Sequence, residues 1–137
     1  MENTNEMQLI FDSRSSNESF ARVTVAAFMT SLNPTVEEVS DVKTAVSEAV
    51  TNAIVHGYRD TLGMVYITVS LYPGGLLRIK VQDKGCGIPD VQKAMEPLFT
   101  TGGEERSGMG FTIMESFMDR LVVRSTPGRG TTVVMRK

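Results

Sequence analysis

Residues 35–57 read TVEEVSDVKTAVSEAVTNAIVHG. Thr35 with Glu38 three residues later is a capping box, in which a hydroxyl and a carboxylate take two of the N–H groups that a helix start leaves unpaired. Val36, Val39, Val42, Val46, Ala49, Val50, Ala53 and Ile54 then recur at helical spacing. One face of this helix is therefore apolar up to Gly57, which ends it. Glu48 and Asn52 lie four residues apart, about 40° around the axis and roughly 6 Å along it, so they share a face turned away from the valine stripe.

Working outward, Met7 to Phe11 reads as a short strand. Ser15 and Glu18 repeat the capping pattern and open a helix to about Leu32, which Asn33 and Pro34 break. Downstream the period changes to two. Val65, Ile67, Val69 and Leu71 alternate with Tyr66, Thr68 and Ser70, and after the Pro73-Gly74-Gly75 turn the alternation returns through Leu77, Ile79 and Val81. A short helical piece follows at Val91 to Met95, then a Gly-rich loop from Thr100 to Gly110, a helix from Phe111 to Met118, and strands at Leu121 to Ser125 and Thr131 to Met135. This order predicts an α+β fold: a two-layer α/β sandwich whose mixed, mostly antiparallel sheet carries its helices on one face.

A chain of 137 residues with 41% hydrophobic content suits one domain, residues 1–137, with a single core. Its net charge of −2, from 14 basic and 16 acidic side chains, supplies no overall cationic field, so direct nucleic-acid binding is not expected. The start MENTNEMQLIF has no leader pattern, and the apolar run Val23 to Met29 is far too short to span a bilayer. A soluble cytoplasmic chain is expected. The single cysteine and single histidine rule out an internal disulfide and a thiol and imidazole zinc site, so any metal must take oxygen ligands.

Glu48 and Asn52 together offer a general base and a hard oxygen ligand for Mg²⁺, although taken alone such a pair is an ordinary solvated helix face. Asp83-Lys84-Gly85-Cys86-Gly87 follows a buried-type strand. There a carboxylate can accept from an exocyclic amine while the glycines let backbone pass close to a flat ring. Ser107-Gly108-Met109-Gly110-Phe111 leads a glycine loop straight into a helix, whose free N–H groups and dipole favour phosphate. Neither a P-loop nor a dinucleotide-binding glycine fingerprint is present. His56 reads as a helix-ending imidazole, Cys86 as a small side chain that fits between glycines, and Met114 and Met118 as core filler.

In order, SEAVTNA at 47–53, Asp83-x-Gly-x-Gly, Gly108-x-Gly and Gly130-Thr131-Thr132 resemble the N, G1 and G2 boxes and the closing Gly-Thr of the GHKL ATPase superfamily. Residues 17–26 (NESFARVTVA), 48–58, 97–101 (PLFTT) and 106–115 narrow the likeness to the anti-sigma-F factors of endospore-forming bacteria, over nearly the whole chain. Gly102-Gly103 stands where relatives carry a bulkier lysine and proline.

The resemblance implies ATP/ADP and Mg²⁺ as cofactors. Glu48 would be the general base toward a substrate serine, and Asn52 the Mg²⁺ ligand. Asp83 would read the adenine amine with help from Thr131, Gly85 and Gly87 would line the base pocket, and Arg106, Ser107, Gly108, Met109, Gly110 and Phe111 would wrap the phosphates. Glu18 and Arg22, otherwise an ordinary intrahelical ion pair, would contact protein partners. By the same resemblance those partners would be a sigma factor of the sigma-F type and the anti-anti-sigma factor that the kinase would phosphorylate, bound by a homodimer. Two alternatives use the same boxes: a related kinase for a stress-response sigma factor, and a nucleotide-tuned sigma-binding module without phosphoryl transfer.

Overall fold

The computed structural model describes residues 2–96 and 110–137. From the N-terminus these form β1 (Asn5–Asp12), α1 (Asn17–Phe28) with a 3₁₀ turn (Met29–Leu32), and α2 (Val36–Asn52) continued by a π-helical turn (Ala53–Tyr58). Then come β2 (Met64–Tyr72), β3 (Leu76–Asp83), α3 (Val91–Ala94), α4 (Gly110–Phe117), β4 (Arg120–Thr126) and β5 (Gly130–Arg136).

The alternating strands pair in the order β1-β2-β3-β5-β4. All four pairings are antiparallel, so the parallel component allowed by the sequence reading is absent among the described residues. The crossover through α3 and α4 delivers β4 to the sheet edge. The closing hairpin then brings β5 back against β3, with Thr131 opposite Asp83. Val65, Ile67, Val69, Leu77, Ile79, Val81, Val133 and Met135 are buried on one face of the sheet. Against them pack Ala21 and Val25 of α1, Val42, Val46 and Val50 of α2, and Phe111 and Met114 of α4, in one cluster. Each such Val, Leu, Ile or Met contributes about 1.5–3 kcal/mol by leaving water. The helices cover this face only, and the other carries mostly polar and charged side chains, with Ile10, Val122 and Val134 among them.

The start of α2 forms as read. Glu38 N–H donates to Thr35 Oγ1 at 3.0 Å, and Thr35 N–H donates to the Glu38 carboxylate at 2.8 Å. These bonds hold the Glu38 carboxyl below its ordinary range. At α1 the expected capping box does not form. The helix starts at Asn17, Ser16 occupies the cap position without a side-chain bond, and Glu18 N–H donates to the Ser15 carbonyl at 3.2 Å. The Glu18 carboxylate instead faces Arg22, 3.7 Å away. Asn33, at φ 52°, reverses the chain before Pro34. The far end is tied down by Lys137, whose Nζ donates to Asp41 at 3.2 Å and to the Phe117 carbonyl at 2.6 Å.

Candidate functional site

The sequence reading carries the second helix to Gly57, but the α-helical ladder stops at Asn52 and the next six residues widen into a π-turn. Such turns recur at functional sites because they rotate side chains and free carbonyls that a regular helix would lock. Here the Gly57 carbonyl accepts from Cys86 N–H at 2.8 Å. This stitches the helix end to the loop after β3. The approach is possible only between glycines: a Cβ on Gly85 would sit 2.0 Å from the Gly57 oxygen, and one on Gly57 would sit 2.8 Å from the Asp83 carboxyl carbon.

Asp83 is thereby enclosed, at 6% exposure. Burial pushes its carboxyl above the ordinary range, while hydrogen bonds from the Gly85 and Thr131 backbones pull the other way. The Gly85 N–H lies 2.9 Å from Oδ1. Across the pocket, Ser125 Oγ accepts from Ile88 N–H at 2.7 Å and donates to the Gly130 carbonyl at 3.0 Å. With that single proton spent, the 2.8 Å contact between Ser125 and Thr131 is a donation from the Thr131 hydroxyl. Tyr58 braces the chain on either side of β2 and β3. Its hydroxyl donates to the Met64 carbonyl and accepts from Lys84 N–H at 2.8 Å.

Asn52, Gly57, Asp83, Gly87, Phe111 and Thr131 line one pocket of about 860 Å³, its open mouth included, with Ala53, Ile88 and Val133 among its apolar walls. Gly85 serves instead behind Asp83, against Gly57. At the mouth, Gly110 begins α4 directly over α2. A Cβ there would lie 3.0 Å from Asn52 Nδ2 and 3.4 Å from Glu48 Oε1. Glu48 opens onto the adjoining groove between α1 and α2, whose lining includes Arg22 and Lys43. Arg106, Ser107, Gly108 and Met109 lie outside the described residues, as do Gly102 and Gly103.

The structure thus brings together Asn52, Asp83, Gly87, Gly110, Phe111 and Thr131, puts Glu48 on the rim, and sets Glu18 and Arg22 one helix away. Tyr58, Ser125 and Arg59, which reaches the pocket from a backbone at φ 53°, are not singled out by sequence reasoning. Tyr58 and Ser125 act on partners 26 and 37 residues distant, a separation that no local pattern reports.

A buried carboxylate in an otherwise apolar pocket suits a flat base bearing an amine, since a neutral hydrogen-bond donor satisfies it without a full counter-charge. An amide oxygen under a bare glycine at a helix start suits a hard cation and phosphate. Among the described residues no group of three or more His, Cys, Asp or Glu could hold a metal by itself, so a cation at Asn52 would share its ligands with the nucleotide.

Residues 11–137 match the family model of the histidine kinase-like ATPase domain. The chain is 58% identical over its full length to the anti-sigma F factor of Thermoanaerobacter sp. (strain X514), of which it covers 96%. It is also 58% identical over 97% of its length to that of Geobacillus stearothermophilus, covering 92%, and 54% identical to that of Priestia megaterium, again over 97% of the chain and 92% of the relative. The chain belongs to the anti-sigma F factor family.

As a member of the anti-sigma F factors it carries a GHKL-type ATPase domain, and that membership implies ATP binding. Two solved structures share the fold. The RsbU and RsbW domains of Rv1364c from Mycobacterium tuberculosis superpose at a TM-score of 0.69 with 18% identity, over 97% of this chain and 31% of that one. The mycobacterial sensor histidine kinase MprB superposes at 0.58 with 15% identity, over 95% of this chain and 96% of that one. No helix among the described residues is long and apolar enough to cross a membrane.

Proposed function

We propose that this anti-sigma F factor is a homodimeric Mg-ATP-dependent protein serine kinase that sequesters a sporulation sigma factor of the sigma-F type and phosphorylates its anti-anti-sigma factor. The relatives' names support the sigma partner. The kinase reading is carried by one observation: Glu48 and Asn52 meet at the bare Cα of Gly110, on the rim of the pocket that holds Asp83.

Bound Mg-ATP supplies the transferable phosphoryl group. The chain's own residues then divide the work. Asp83 and Thr131 orient the base, and Gly87 and Phe111 form the walls against it. Asn52 offers an amide oxygen to the metal and the Gly110 end of α4 offers backbone N–H to phosphate, Arg106 to Met109 completing the wrap. Glu48 opens toward the α1–α2 groove, where a seryl hydroxyl can arrive without crossing the base pocket, and accepts its proton. Arg22 lies in that same groove, which fits a shared docking surface for sigma and anti-anti-sigma factors. Exchange between them requires that nucleotide state change their relative affinities.

The proposal is tested by size-exclusion chromatography of the purified chain with the sigma factor, in ATP, in ADP and without nucleotide. A sigma complex that is tighter in ATP and displaced by the unphosphorylated anti-anti-sigma factor is expected. A chain that ignores the sigma factor in every nucleotide state contradicts it.

A further inference from the structure

The face of the sheet turned away from the helices carries a charge pattern that the nucleotide site does not use. In register across three adjacent strands, Arg120 of β4 lies opposite Arg136 of β5, which lies opposite Arg78 of β3. Lys80 and Arg124 add to the same face and line, with these three, an open depression of about 810 Å³, its mouth included, together with Val122 and Val134. Like charges directly opposite one another in a sheet are mutually destabilising. None of the five makes an ion pair with another described residue. The carboxylate in register with this row, Glu6 on the outer strand β1, already accepts from Ser70 Oγ at 2.9 Å and Asn3 Nδ2 at 3.2 Å.

We propose that this open sheet face is a docking surface for a short acidic segment of a partner protein, separate from the nucleotide pocket and from the Arg22 surface. Strands about 4.8 Å apart put the three arginine Cα atoms within about 10 Å, and Arg120 and Arg124 are about 13 Å apart along their strand. Such a patch matches a few carboxylates of an extended peptide, with the planar guanidinium forks suited to bidentate pairing. A long polyanion fits less well. Of the chain's 14 basic side chains five sit here, leaving nine against 16 acidic ones elsewhere, so a nucleic acid running past the patch would meet repulsion.

The test uses the full chain and a fluorescent deca-glutamate peptide, read by anisotropy at low and moderate salt. Arg120→Gln/Arg124→Gln changes two exposed side chains and leaves the pocket untouched. A second variant, Arg78→Gln/Arg136→Gln, covers the centre of the row. The expected result is salt-sensitive peptide binding that weakens at least tenfold in each variant, with ATP affinity unchanged. Three results would overturn the proposal: equal peptide binding by wild type and both variants, a single-stranded oligonucleotide of equal charge that binds more tightly than the peptide, or variants that lose self-association instead of peptide binding. Because ATP affinity is measured in parallel, a failed docking surface is distinguishable from a failed nucleotide site.

Discussion

Asp83 is held between two demands. Its carboxylate sits in low dielectric at an energetic cost, and in the proposed role only the charged form would offer the base amine a strong acceptor. Asp83→Asn is expected to weaken ATP binding by about ten- to a hundredfold, the equivalent of losing a charge-assisted hydrogen bond, as calorimetry would read. The same substitution should leave the ligand-free protein no less stable. Burial raises the folded carboxyl above its reference value of 3.8, so between that value and the folded one the native state binds more protons than the unfolded state, and stability falls as pH rises through the window. The advantage of the Asp83→Asn variant over the parent chain in ligand-free urea midpoints is therefore largest near neutral pH and shrinks toward about pH 4. An advantage that grew on acidification would contradict this. Gly110 makes a sharper case of room kept for a ligand. A methyl there meets Asn52 at 3.0 Å and Glu48 at 3.4 Å, contacts that side chains can yield to, so Gly110→Ala should fold with a near-normal midpoint yet lose most phosphoryl transfer. An unfolded variant, or one with full turnover, would remove Gly110 from the site.

At the level of elements, the two helix starts that look alike in sequence separate cleanly. Thr35→Ala removes a formed capping box and should cost about 1 kcal/mol, or roughly 4 °C in Tm. Ser15→Ala removes a hydroxyl that makes no cap bond and should shift Tm by less than about 1 °C. Thermal melts of the two variants side by side check the pair, and equal losses would refute the contrast. The Ser15 box does not form because the helix begins one residue later than its pattern requires: Ser16 holds the cap position and Glu18 is the second helical residue, with its carboxylate 3.7 Å from Arg22. Helix and strand periods are legible because one-sided burial imposes them, as along α2 and β2. The π-turn after Asn52 is not, since Ala53 to Tyr58 keeps helical composition and the widening depends on where β3 ends and on the Gly57 contact with the 85–86 loop. Glu48, Asn52, Asp83 and Gly110 are legible from their boxes. The Tyr58 and Ser125 braces are not, because their partners arrive only when the sheet assembles with β5 beside β3.

For the whole molecule, the layout separates tasks by surface. The pocket that holds Asp83 lies between the helix layer and the covered face of the sheet, Glu48 and Arg22 open onto the α1–α2 groove, and the arginine row faces the opposite direction. A nucleotide bound in the first region stabilises the fold by mass action, about 2.7 kcal/mol at a hundredfold excess over Kd; the proposed partner exchange on the groove requires in addition that nucleotide state change the partners' relative affinities. The central claim is that one helix face carries a base for the substrate hydroxyl and a ligand for the metal, at adjacent turns. Phosphate incorporation into the anti-anti-sigma factor, measured for Glu48→Gln and Asn52→Ala beside ATP affinity with and without Mg²⁺, addresses it most directly. Glu48→Gln should keep nucleotide affinity and lose about 10² to 10⁴ in turnover, whereas Asn52→Ala should lose the Mg²⁺-dependent part of ATP binding as well. Near-normal turnover by Glu48→Gln, or unchanged Mg²⁺-dependent affinity in Asn52→Ala, would contradict the assignment.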